Sequence, residues 1–240
     1  MLLFVPIALA DDMAPGTFPH AGLTEVLAKY VDDKGHVDYK GVQENRAGLD
    51  AYVALVAAHS PKHDPTLFPT LQDRLAYYIN AYNALAITGV IDRPGLQSVQ
   101  DELFKFFYGT SYVIGKKKIN LYNLENKVVR KEFGDPRVHT ALNCQSYGCP
   151  RLPQKAFEAA TLDADLDAAA REFATNPSKA YVQDGVAHVS QILGWYAEDF
   201  APAGGPVAWL DKYGATLPAD AKVEFIPYDW TLSKQDGRGP

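Results

Sequence analysis

The sequence predicts a helix-rich α+β fold, a single domain with short antiparallel hairpins packed around a central buried helix. Three observations predict it. Strand signals come in separated pairs among helical stretches, residues 71–91 are apolar on both faces, and neither a repeat period nor a low-complexity linker divides the 240 residues. With 47% hydrophobic residues the chain can bury a substantial core. A leader remnant is expected over residues 1–10, the domain over 11–233 and a flexible polar tail over 234–240.

The elements follow in order. Apolar positions 23, 26, 27, 30 and 31 mark one helix face, and Asp33-Lys34-Gly35 turns the chain into a short strand holding Val37 and Tyr39. A second helix covers Leu49 to Val56 and breaks at Ser60-Pro61. The long signal from Leu71 to Ile91 has no polar face wide enough for solvent, so it is the buried centre. Asn80 and Asn83 point the same way from it, and a buried amide must bond either to backbone or to a site. Leu103 to Phe107 is short and aromatic, and Tyr112 to Ile119 turns at Gly115 as a hairpin. Asn120 or Asn123 caps a helix running to Phe133, which Gly134-Asp135-Pro136 stops. Ala164 to Phe173 is a helix ended by Asn176-Pro177, and Asp184-Gly185 makes a tight hairpin turn between two strands. Ser190 caps a helix through Trp195, and Val223 to Ile226 is a late strand.

Charge narrows the partners. The net charge is -6 and the only basic triplet is Lys116, Lys117 and Lys118, so a nucleic-acid partner is not expected. Met1 to Ala10 carries no charge and ends in Ala8-Leu9-Ala10, the pattern of a secretory leader cleaved before Asp11. Ten apolar residues are too few to span a bilayer, and no longer run follows. The expectation is a secreted or periplasmic protein with no membrane span. The sequence carries no signal for oligomeric state.

Chemistry concentrates between His139 and Cys149. A thiol nucleophile needs a base beside it, because at a pKa of about 8.5 only a few per cent is thiolate at neutral pH. His139 is the base this segment offers to Cys144, and Glu125, upstream, is the candidate for fixing its tautomer. In an extended strand residues 139 and 144 would face opposite sides, so the pair requires a bend or helical turn. Pro150 suits a helix start, which would lower the pKa of Cys149 instead. Two other readings compete: a Cys144–Cys149 disulfide worth roughly 2 kcal/mol, and a metal site of His139, Cys144 and Cys149 with His188 or Glu125, whose spacing lacks paired CxxC ligands. Neither a metal nor another cofactor belongs to the preferred reading.

Four separated motifs then become recognisable: Tyr78-Ile79-Asn80-Ala81-Tyr82-Asn83-Ala84-Leu85, Asp135 to Cys144 with Ser146-Tyr147-Gly148-Cys149-Pro150, Trp195-Tyr196-Ala197-Glu198-Asp199-Phe200, and Tyr228-Asp229-Trp230-Thr231-Leu232. Together they resemble the domain of unknown function 547 family over about Leu23 to Leu232. The resemblance implies an exported protein of no established reaction, and carries the family motif onto Asn80, Asn83, Glu125, His139, Asn143, Cys144 and Cys149. The expected activity is that of a cysteine hydrolase or acyl-transferase of papain or transglutaminase type, acting on a peptide or small amide. Cys144 is then the nucleophile, His139 the base, Glu125 its orienter and Asn80 or Asn143 the oxyanion donor, with Asn83, Asn143 and Cys149 holding substrate. The alternative is a non-enzymatic envelope binding module built round the disulfide, or a metal-binding domain.

Overall fold

The computed structural model describes residues 13–14, 18–218 and 221–235. The expected leader, residues 1–10, and residues 236–240 of the expected tail lie outside the described residues. The centre is α4 (Leu71–Ile91), which is buried on every side from Leu75 onward. Its start is fixed reciprocally: the Thr70 hydroxyl accepts from the Asp73 N–H while the Asp73 carboxylate accepts from Thr70 N–H. Around it pack α1 (Ala21–Tyr30), α2 (Tyr39–Glu44) and α3 (Ala47–Ala58). Val37 was expected to extend a strand through Tyr39; it makes single bridges to Val31 and Lys234, and Tyr39 opens α2 because the Asp38 carboxylate accepts the Gly41 N–H.

The first hairpin pairs β1 (Tyr112–Ile114) with β2 (Lys117–Ile119), and its turn docks on the end of α3 through N–H groups of Gly115 and Lys116 donating to Val56 and Ala57. The aromatic stretch before it is a π-helical turn over Lys105–Gly109. Next come α5 (Leu121–Asn123), capped by Asn120, a π-helical segment Leu124–Val129, and α6 (Arg130–Phe133), which ends at Gly134 with φ 60°. A 3-10 turn over Pro136–Thr140 leads into the irregular cysteine loop, and Arg137 clamps that turn to α7 (Leu162–Thr175) through Asp163 and Asp167.

The second sheet has the order β3 (Ala180–Gln183), β4 (Val186–Ser190), β5 (Lys222–Ile226). The β3–β4 pair turns at Asp184 and Gly185, both at positive φ. Both hairpins are antiparallel as expected, and β5 joins β4 in parallel: α8 (Gln191–Trp195), α9 (Ala197–Phe200) and α10 (Pro206–Lys212) carry the chain back before it re-enters. These helices and the sheet enclose a second apolar cluster around Val189, Leu193, Phe200 and Trp209. Hydrogen bonds join the last described residues to the body of the domain. Ser233 and Gln235 N–H donate to Gln145 and Val37, and the Gln235 amide donates to the Tyr30 and His36 carbonyls.

Candidate functional site: a thiol pair beside an imidazole–carboxylate pair

The site lies where the two apolar clusters meet. Tyr82, Leu142 and Trp230 come from the first, Ile192, Tyr196 and Tyr228 from the second, and together with Glu125, His139, Cys144 and Cys149 they line a cavity of about 70 Å³. That is room for a few water molecules or the reacting end of a larger ligand.

The cysteine loop is shaped by amides. The Asn83 amide donates to the Ala141 carbonyl and its oxygen accepts the Asn143 N–H, at 3.0 and 2.8 Å. Asn143 donates to the Pro150 carbonyl and accepts the Gln145 N–H, both at 2.7 Å, which closes the loop on itself. Tyr147 and Gly148 N–H groups donate to Thr231 and Asp229 on one side, and the buried Lys179 ammonium donates to the carbonyls of the same two residues on the other. Desolvation lowers the Lys179 pKa.

Within this frame both cysteines are free thiols, their sulfurs 2.7 Å apart. Cys149 Sγ accepts the Cys144 N–H at 2.9 Å and lies 3.1 Å from the Tyr228 hydroxyl and 3.4 Å from that of Ser146. Burial works to raise the Cys149 pKa, but donation from Cys144, Ser146 and Tyr228 outweighs it and brings the thiol down to about 6. Burial and the adjacent Cys149 sulfur hold Cys144 protonated, its pKa well above the usual range. The pair therefore has one acidic and one reluctant member. The expected helix start at Pro150 is absent, since residues 151–153 have no regular structure. Hydrogen bonds, not a helix terminus, make Cys149 the acidic member.

His139 is 4% exposed and stacks on Tyr196 at 4.2 Å between ring centres. Its Nε2 meets Asp199 Oδ2 at 2.6 Å, and the Arg130 guanidinium grips both oxygens of that carboxylate at 2.6 and 2.9 Å. Burial tends to raise the Asp199 pKa, yet the bonds from His139 and Arg130 hold it well below the usual carboxylate range. With Nε2 engaged, Nδ1 is the nitrogen left to exchange a proton; among the described residues no group hydrogen-bonds to it, and no direct bond joins the ring to either sulfur.

Glu125 does not orient His139. The π-helical turn aims it at two phenols, with Tyr82 Oη donating to Oε2 at 3.0 Å and Tyr196 Oη to Oε1 at 2.6 Å. Asn80 stands apart, its amide donating to the Phe157 carbonyl at 2.8 Å and accepting the Phe157 N–H at 2.9 Å, and it does not line the thiol cavity where an oxyanion would form. Asp199, Arg130, Tyr228 and Ser146 carry much of the geometry without having been singled out by role. Asp199 and Tyr228 do lie inside recognisable motifs, and that position was the available signal. Among the described residues no three His, Cys, Asp or Glu side chains gather as a metal would require, and His188 instead stacks on Tyr181.

Fold and site together define a helix-rich α+β protein with a paired-thiol pocket opposite a histidine–aspartate pair. Residues 69–174 match the family model described as "Protein of unknown function, DUF547", so this stretch is similar to that family. The match runs from the cap of α4 to the end of α7 and takes in Glu125, His139 and both cysteines; Asp199 and Tyr228 lie beyond it. No curated protein and no solved structure matches the chain.

Proposed function

We propose that this protein is a cysteine-dependent hydrolase or acyl-transferase of the papain or transglutaminase kind, acting on a peptide or another amide. The observation that carries the reading is the sharing of one cavity by the unbridged thiols and the His139 ring that Asp199 holds. The environment favours Cys149 as the attacking thiolate, with Cys144 protonated beside it. Attack on a carbonyl gives a tetrahedral oxyanion, and collapse to the thioester expels the amine, which takes a proton from His139. Water or a second amine then releases the acyl group. Asp199 serves as the orienter, while Glu125 fixes Tyr82 and Tyr196 in the cavity wall. Asn83 and Asn143 act through the loop they brace.

No helix among the described residues is long and apolar enough to cross a membrane. The uncharged leader ending in Ala8-Leu9-Ala10 supports a secreted or periplasmic location, which suits an extracellular peptide or cell-wall amide. Iodoacetamide labelling with mass mapping, run beside an amide-substrate panel, tests the proposal. Rapid alkylation of Cys149 at neutral pH, with turnover lost in Cys149→Ser, is the expected result. Two slowly reacting thiols in a folded, reduced protein would leave a non-enzymatic binding module as the better account.

A further inference from the structure

The hydrolase reading uses one sulfur, yet the structure builds two into the same wall. The Cys144 and Cys149 sulfurs are 2.7 Å apart, in contact without the ~2.05 Å bond of a disulfide, and the two residues are five apart in the chain. Two hydroxyls, Ser146 Oγ and Tyr228 Oη, each lie within 3.4 Å of both sulfurs and 3.0 Å from one another. A nucleophile for acyl transfer requires none of this second thiol. The cavity in front, about 70 Å³, admits a small oxidant, and Cys149 also lines a larger opening of about 650 Å³ on its other side, through which a thiol can reach it.

We infer that Cys149 and Cys144 form a hydroperoxide-reactive couple, Cys149 attacking the peroxide and Cys144 resolving the product into an intramolecular disulfide that silences the site. It rests on the reading of Cys149 as the nucleophile. In the first step the Cys149 thiolate attacks one peroxide oxygen: an S–O bond forms, the O–O bond breaks, and the departing oxygen takes a proton donated through the Ser146 and Tyr228 hydroxyls. A hydroperoxide ROOH thus leaves as ROH, and Cys149 becomes a sulfenic acid. In the second step Cys144 attacks the Cys149 sulfur. The S–S bond forms, the S–O bond breaks, and the expelled hydroxide leaves as water with the Cys144 proton. The peroxide has taken two electrons from the sulfur pair, and two equivalents of a low-molecular-weight thiol return them by exchange, the first forming a mixed disulfide and the second releasing it as the small-molecule disulfide.

The test treats the reduced full chain with one equivalent of hydrogen peroxide and follows intact mass and iodoacetamide labelling. The expected product has lost two hydrogens, about 2 Da; it resists alkylation and regains it with dithiothreitol. Cys144→Ser should stop at the first step, so that dimedone captures a sulfenic acid at Cys149. Wild-type protein whose Cys149 alkylates rapidly but that reaches no disulfide with peroxide overturns the couple and leaves the acyl-transfer reading standing. Wild-type protein whose Cys149 neither alkylates nor oxidises overturns both. The wild-type arms need no variant to fold.

Discussion

At the residue scale the decisive contrast is between two sulfurs in one loop. Both sulfurs are buried and both meet the Ser146 and Tyr228 hydroxyls; Cys149 in addition accepts the Cys144 N–H, while Cys144 carries the repulsion of its neighbour's charge. Thiolate is the reactive form, so alkylation of Cys149 should be fast above its pKa of about 6 and should fall as pH drops through that value. Rate against pH at the mapped peptide checks this; a midpoint near the ordinary 8.5 would contradict it. Asp199 supplies a second residue-scale prediction. Its folded pKa is depressed, so the stability it contributes is present above the unfolded carboxylate value of about 3.9 and is lost as pH falls through the folded one. Asp199→Asn should cost about 1–3 kcal/mol at neutral pH, and urea midpoints of variant and wild type should converge in acid. His139 and the cysteines were legible in the sequence because few residue types do such chemistry and they stand close together. The partner of His139 was not, because 60 residues separate it from Asp199 and only packing of α9 against the 3-10 turn joins them.

At the element scale the surprises come from irregular helices and a loop. Periodicity located α4 to the residue, since a long two-sided apolar run has few other solutions. It could not reveal that Leu124–Val129 widens into a π-helical turn, which points Glu125 at tyrosines rather than at His139. Nor could it decide between backbone and site for Asn80, whose amide braces the Phe157 segment. Asn80→Ala should lower stability by about 1–3 kcal/mol while leaving Cys149 alkylation within about twofold of wild type, as denaturation and labelling rates would show. Gly148 behaves differently. A Cβ there would come within 2.6 Å of the Tyr228 ring, so Gly148→Ala should displace the phenol from the sulfurs and raise the Cys149 midpoint by on the order of one pH unit. The same labelling profile reads that shift.

At the scale of the whole molecule, the sequence predicted one domain around one buried helix, and α4 does occupy the main cluster. The second cluster was less visible because it is assembled from short pieces, α8 to α10 and a sheet closed by a parallel strand, none of which has strong periodicity alone. Its integrity matters to the site because Tyr196 and Tyr228 pack against it. Leu193→Ala, at a fully buried position, should cost about 2–5 kcal/mol, with the loss measured by urea unfolding, and should speed exchange of backbone amides in the cysteine loop.

The closing segment also imposes a schedule. Tyr228 and the bridges of Thr231, Leu232 and Lys234 to Ser98, Ser146 and Val37 come from the last stretch described. Until that stretch docks, the unfinished loop holds two unremarkable mercaptans. Its docking completes the surroundings that make one of them acidic, so reactivity waits on the joining of segments far apart in sequence.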